Sequence, residues 1–515
     1  CSWGLLSRGA ARMAEDRPVP EGFKVQEEGQ AKILQKCNET FYNPAQVVNR
    51  DLSLANLRRY MALTEAEKAA GTGPKVKRNR NVAPKEANPK YEGKLRILEG
   101  LAASGLRAIR FAKELDGRAI VDANDMDPSV VDSMKQNIEF NGLEGAVIPH
   151  CLDARLLMMQ NAGMYDAVDL DPYGTPSTLL DTAVQSVGEG GLLMVTATDM
   201  AVLCGNNADS CWSKYGSYPL HRSYCHEQAL RILLACLESH ANRHKRYIKP
   251  MLSLSIDFYI RVFVRVYTSP AVIKEAGTKL SYVFQSQGCD SFFLQPVAQK
   301  LNKNGKSEKF MAGHGPCVPT RCEETGSKFL MGGPIWSAPI HDEEWIRNLS
   351  ADINANKDLY PAYKQITSIM ATVVEELLDV PLYVDTHNIS KTLKCTPPKH
   401  EMFRSALVNA GYRVSSSHAS ALGVKTDAPM SVIWDIMRCW VKDHPVKPQD
   451  PNSYCAKLLA KEPSLEADFS KASAALSKAR LNNVPRYLPN PEENWGPKTR
   501  HGRPLLGTSK DADEP

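Results

Sequence analysis

Between residues 95 and 197 the chain alternates short apolar runs with helical stretches, and this pattern constrains the fold most tightly. LRILEG reads as a buried strand, and LAASGLRAIRFAKEL as a turn of small residues entering a helix. RAIVDAND is a second strand, and PSVVDSMKQNIEFNG a helix ending at Gly142. AVIPHCLDA gives a third strand with its exit turn, YDAVDLDPYG a fourth and GGLLMVTAT a fifth. Strands spaced by helices in this way join through right-handed crossovers into a parallel sheet covered on both faces. The expected class is α/β with an open parallel sheet, whose ligands sit beyond the carboxyl ends of the strands.

The remaining chain reads differently. Residues 220–247 predict an amphipathic helix ending in bases. Beyond residue 250, LSLSIDFYIRVFVRVYT alternates with the period of a strand, and a second α/β-like stretch covers 366–442. The expected organisation is a leader over 1–27, an α/β domain over 28–247 that carries a basic loop at 71–94, a C-terminal α+β domain over 248–444 expected to bind RNA, and a Pro/Lys-rich tail over 445–515. The leader segment CSWGLLSRGAAR has two arginines and no acid, in the manner of a transit peptide's end; an irregular leader fits it equally well. Residues 71–94 form a basic loop with seven Lys/Arg against two Glu, either an RNA-contacting or import segment or a solvated insertion.

Composition excludes several classes. With 43% apolar and 23% charged residues the chain is neither fibrous nor wholly disordered. No apolar run approaches the ~18 residues of a membrane span. A net charge of +5 does not by itself require a nucleic-acid partner. Thirteen cysteines without a Cys-x-x-Cys pair point to a reducing compartment rather than a disulfide framework.

Three strand ends carry candidate ligand contacts. Glu99-Gly100-Leu101-Ala102-Ala103-Ser104-Gly105 puts small residues where a ligand would approach backbone and a helix N-terminus. Asp125, about 20 residues past that turn, is placed to hold a ribose diol. Asp127, followed by Pro128, better suits the next helix start. At the third exit, Asp153 can accept from an adenine amine while the backbone of Ala154 pairs the ring. No GxxxxGK[ST] loop is present, and the dinucleotide glycine pattern is imperfect, which leaves a nicotinamide site as an alternative.

The fourth exit reads Asp169-Leu170-Asp171-Pro172-Tyr173-Gly174. An acid–Pro–aromatic at this place is the pattern of S-adenosylmethionine enzymes that methylate exocyclic base amines. Such an amine is a poor nucleophile, because its lone pair is delocalised into the ring. Asp171 can accept its N–H and take up the proton, while Tyr173 can stack on an extruded base.

FYNPAQVVNRD, LEGLAASGLRAIRFA, ANDMD, LDA, DLDPYG, VTATDMAVLCG, CHEQALRIL and KTDAP occur together and in this order. The set resembles the tRNA (guanine-26-N2)-dimethyltransferase family from about residue 28 to about 442. The resemblance implies a Rossmann-like methyltransferase domain plus a family-specific C-terminal domain, S-adenosyl-L-methionine as cofactor, and tRNA as substrate, dimethylated on N2 of guanine-26. It implies a nuclear or mitochondrial location and no membrane partner; it leaves the oligomeric state open. By matching motif, Arg50 and Arg107 resemble cofactor-contacting arginines, Asp125 the ribose acid, Asp153 and Ala154 the adenine pair, and Asp171 the catalytic acid. Phe41 and Tyr173 resemble the aromatics that flank the base. Spacing alone reaches Asp125, Asp153 and Asp171 but gives no reason to choose Phe41 or Arg50. An adenine-N6 methyltransferase and a non-catalytic tRNA-binding factor remain rival readings.

Arg261 and Arg265, four apart in one strand, share a face and serve either phosphate contact or interdomain packing. His418 and Lys425 belong to RNA contact or domain structure, and Cys225-His226 to structure. No metal is expected; zinc near Cys289, Cys317 and Cys322 would need a non-Cys fourth ligand. Basic residues at 75–94, 243–249 and 442–447 outline a candidate RNA footprint.

Overall fold

The computed structural model describes residues 18–36, 42–73, 93–303 and 307–491. An antiparallel hairpin, β1 (Phe23–Glu28) and β2 (Ala31–Lys36), precedes the long helix α1 (Val47–Ala69). The expected leader therefore stops short of 27, because Phe23 already begins a paired strand. Then come β3 (Leu95–Glu99), α2 (Leu106–Glu114), β4 (Ala119–Asp125), α3 (Pro128–Phe140), β5 (Val147–Cys151), α4 (Ala154–Gln160), β6 (Tyr165–Leu170), α5 (Leu180–Ser186) and β7 (Val187–Ala197). The helix α6 (Cys225–Arg243) leads to the hairpin of β8 (Arg246–Ile256) and β9 (Tyr259–Thr268).

These strands make one seven-stranded sheet in the order β5-β4-β3-β6-β7-β9-β8. β3 to β7 run parallel, as expected, and β9 enters antiparallel between β7 and β8. The sheet thus continues past the boundary expected at 247. The central strands are buried on both faces, so Val, Ile, Leu and Ala dominate them, with the buried polar residues Asp122, Asn124 and Asp169 set among them. Connections turn one way from β3 and the other way from β6, so the loops leaving these neighbours diverge and open a cleft at the carboxyl edge.

β10 (Leu280–Ser286), β11 (Phe292–Pro296) and β14 (Phe329–Trp336) form a second, smaller sheet; β12 (Ala298–Lys303) and β13 (Ser307–Ala312) form a separate hairpin. Helices α7 (Glu343–Ala355) and α8 (Tyr363–Val373) follow. One face of the main sheet packs on α1, α2, α3, α7 and α8 through Leu52, Phe111, Met134, Trp345 and Ile366. The other packs on α4, α5 and α6, with Val283 and Ile335 of the small sheet joining the same core. Squeezed between two sheets, α6 is buried along most of its length rather than amphipathic. Its buried charges are matched: Arg231 Nε donates to Glu227 Oε1 at 2.9 Å, and Glu238 accepts from Ile248 N at 2.8 Å.

A third core gathers Ile389, Phe403, Leu407, Trp434 and Met437. Residues from the expected tail pack against it, with Cys455 and Leu458 buried. No helix among the described residues is long and apolar enough to cross a membrane.

Candidate active site

The turn leaving β3 is built from close approaches. A Cβ at Gly100 would lie 2.8 Å from Leu170 Cδ2, and one at Gly105, whose φ is +77°, 2.8 Å from Met134 Cγ. Only glycine meets both demands at Gly105, so α2 can start directly against α3. Gly100 N donates to Asp169 O at 3.0 Å, and Ala102 N to Asn124 O at 2.7 Å.

The Asn124 amide laces three strand exits together. Its Nδ2 donates to Gly100 O at 3.1 Å and Leu152 O at 3.0 Å, while its Oδ1 accepts from Leu152 N at 3.2 Å. Sequence reasoning passed over this residue. The available signal was an asparagine inside a buried strand, where such residues are depleted.

A cavity of about 1140 Å³ opens beneath these turns, lined by all three strand exits and by Arg50 of α1. Asp125 ends β4 on its wall and accepts from Ala103 N and Asp127 N, each at 3.1 Å. Asp127 caps α3, accepting from Ser129 N at 2.9 Å. Asp153 caps α4 through Arg155 N at 2.8 Å and also pairs with the Arg155 side chain at 2.6 Å. These bonds from Arg155 hold the exposed Asp153 carboxyl below its usual range. Ala154, beside it, is buried.

Asp171 follows β6 and faces the cavity. Its Oδ2 accepts from Asn49 Nδ2 at 3.2 Å and from Arg107 Nη2. Both donors fall on Oδ2, and among the described residues none meets Oδ1. Arg107 is buried; its Nη1 donates to Asp169 Oδ1 at 2.9 Å, and its Nε lies 3.8 Å from Glu99 Oε1. Burial alone would lower the Arg107 pKa, but Asp169, Asp171 and Glu99 together raise it. Behind this ion pair, Arg261 of β9 reaches Asp169 Oδ2 at 2.7 Å and Ser53 Oγ at 2.7 Å, and it also donates to Thr196. Burial works to raise the Asp169 pKa; the two guanidiniums overcome it and leave the carboxyl low.

Arg50 is engaged by Glu28, with Nε donating to Oε1 at 2.6 Å, and by Asn43 O at 3.1 Å. It still borders the cavity. The loop after Asp171 is zipped to the end of β7: Gly174 N donates to Thr198 Oγ1 at 2.7 Å, and Thr198 N to Gly174 O at 2.9 Å. Tyr173 stands on the rim, 59% exposed. Phe41 lies outside the described residues, as does the basic segment 74–92.

The family model for N2,N2-dimethylguanosine tRNA methyltransferases matches residues 22–438. The chain belongs to this family. A tRNA (guanine(26)-N(2))-dimethyltransferase 1 of Arabidopsis thaliana is 50% identical over 95% of this chain and 89% of its own. The Homo sapiens tRNA (guanine(26)-N(2))-dimethyltransferase is 41% identical over 96% of this chain and 80% of its own. Among solved structures, Trm1 from Pyrococcus horikoshii, in complex with S-adenosyl-L-methionine, superposes with a TM-score of 0.63 at 29% identity. That match covers 80% of this chain and 98% of the other. The α/β fold with its additional C-terminal region is thus that of an N2,N2-dimethylguanosine tRNA methyltransferase.

Within this family member, several charged residues prove to be internal. Arg261 and Arg265 are fully buried, Arg265 on Glu67 at 2.7 Å, so neither contacts phosphate. Lys425 and His418 are buried too: Lys425 donates to Glu227 at 2.9 Å and His418 Nδ1 lies 2.7 Å from Glu376 Oε1. Arg246 leaves the expected RNA footprint, since its guanidinium turns inward onto the carbonyls of Val187 and Gly188 at 2.6 and 2.8 Å. Cys289 and Cys322 bring their thiols to 3.8 Å, whereas Cys317 is exposed.

Proposed function

We propose that this protein is an S-adenosylmethionine-dependent enzyme that dimethylates the exocyclic N2 amine of guanine-26 in tRNA. One observation carries the reading. A carboxylate at the β6 exit faces a nucleoside-sized cavity, with one oxygen pinned by Asn49 and Arg107 and the other meeting no donor among the described residues.

The residues present fit the cofactor. The cavity is large enough for a nucleoside cofactor beside a purine. Asp125, held by two backbone N–H groups, offers its carboxylate to a ribose diol. Asp153 and the Ala154 backbone offer an acceptor and a donor for adenine, and Arg50 borders the end nearest α1. When bound, S-adenosylmethionine would supply an electrophilic methyl group, its sulfur–methyl bond breaking as the carbon–nitrogen bond forms and leaving the neutral thioether.

Asp171 Oδ1 accepts one N–H of the guanine amine, which raises electron density on nitrogen and fixes its direction of attack. As nitrogen gains the methyl carbon, its proton passes to Oδ1. Arg107 and Asn49 keep the carboxylate from swinging away during that transfer. Tyr173, on the rim, flanks the base. Monomethylated guanine retains one N–H for Oδ1, and dimethylated guanine retains none, so the chemistry stops after the second transfer.

The decisive experiment is mass spectrometry of nucleosides from unmodified tRNA incubated with the protein and S-adenosylmethionine. N2,N2-dimethylguanosine at position 26 supports the reading; N6-methyladenosine, or no product, overturns it. The location proposed is nucleus, mitochondrion or both; the Saccharomyces cerevisiae relative, 34% identical, is named a mitochondrial dimethyltransferase.

A further inference from the structure

Large apolar side chains stand in solvent on one lobe of the molecule. In the small sheet, Met331, Phe284 and Phe293 lie directly opposite one another across three strands. They occupy the side away from Val283 and Ile335, which are buried against α6. Met331 is 58% exposed and Phe293 37%, and Phe293 meets Phe329 edge-on at 5.9 Å. Beside β14, Trp212 and Tyr218 stack at 5.0 Å with 20° between their planes, both about half exposed. Tyr218 is fixed there by main-chain bonds to and from Gly333, at 3.0 and 2.8 Å.

The hairpin of β12 and β13 grows straight out of β11. Leu301 faces Lys309 across it and Gln299 faces Met311, so one side carries two apolar groups around an exposed ammonium. None of its described residues enters an apolar core. Two strands without such packing are marginal alone, and exposed apolar patches mark contact surfaces. The segment 298–312 holds four lysines against the single acid Glu308.

We infer that this surface, the outward face of β10, β11 and β14 with the Trp212–Tyr218 stack and the β12–β13 hairpin, is where the RNA substrate docks. The inference rests on the function proposed above. Aromatic faces on a sheet accept unpaired bases, and Lys309, exposed on the hairpin while Lys300 pairs with Glu308 at 2.6 Å, meets a phosphate. The positive hairpin favours a polyanion over a protein partner. The surface is also tied to the reaction centre. Helix 208–215, which bears Trp212, carries Tyr215, whose hydroxyl accepts from Thr175 of the Asp171 loop at 2.8 Å and donates to Asp199 at 2.7 Å. RNA seated on the stack is therefore registered against the loop that receives the guanine.

The test is fluorescence anisotropy of labelled, unmodified tRNA over a salt series, with the full chain, a Phe293→Ala/Met331→Ala double variant and Lys309→Ala. The double variant should weaken binding by about 10-fold or more, as expected for lost base stacking. Lys309→Ala should lower the salt slope by about 1. Both should keep the wild-type melting temperature and S-adenosylmethionine affinity, and both should raise the KM for tRNA. Wild-type affinity and slope in folded variants would overturn the docking surface, including the case in which the face instead serves a protein. Failure of the wild-type protein to methylate guanine would count against the function, and is read separately by mass spectrometry.

Discussion

The guanidinium of Arg107 stands 2.9 Å from the Asp169 carboxylate while its other terminal nitrogen grips Asp171. One buried cation thus joins a strand interior to a cavity wall. A carboxylate anchored on one oxygen presents the other in a fixed direction. Asp171→Asn keeps the shape and loses the proton acceptor. Its kcat for guanine methylation should fall by about 10²–10⁴-fold, with S-adenosylmethionine affinity retained by calorimetry. Activity near wild type would remove Asp171 from the reaction.

Arg261→Met should destabilise the fold. It leaves the fully buried Asp169 with one cation and strips Ser53 and Thr196 of their charged partner. Removing one member of a buried ion pair costs about 3–5 kcal/mol, readable by chemical denaturation.

Glu99 gives the pH prediction. Burial pushes its carboxyl up to about 8, against the pull of Arg107 and with Asp169 adding to the rise. The folded protein therefore binds a proton that the unfolded chain releases near the ordinary carboxyl value. This contribution to stability is full below that value and is lost as pH rises through about 8. Thermal melts should show wild type losing stability from about pH 5 to about pH 9 relative to Glu99→Gln, whose difference from wild type carries that dependence.

Asn124→Ala leaves Gly100 O and both polar groups of Leu152 without their partner. Each lost bond of this kind costs about 1 kcal/mol or more. The loosened turns should weaken S-adenosylmethionine binding by about 10-fold in calorimetry, with a smaller change in kcat at saturation.

Asp125, Asp153 and Asp171 were legible because each ends a strand, and strand ends of a parallel sheet share one edge. Asp127 was equally legible as a helix cap, since an acid before Pro128 has that use. Asn49 was not, because α1 precedes the βαβ run and only tertiary packing carries it to the β6 exit. Arg107 was legible as a site residue by resemblance, but its commitment to Asp169 and Asp171 needed three dimensions. Arg261 read as serving either phosphate contact or interdomain packing, because alternation gives a face and not its neighbour, and here the neighbour is α1. Asp169 did carry a signal: an acid within a buried apolar strand requires a cation close by.

The antiparallel entry of β9 has a consequence for how the enzyme is made. Asp169 receives its second cation from a strand that synthesis reaches only after the β3 turn, Asp125, Asp153 and Asp171 are complete. A nascent chain or proteolytic fragment ending near residue 247 would display all of those groups yet leave a buried anion half neutralised. The charge balance behind Asp171 is therefore complete only once the ribosome has passed Arg261.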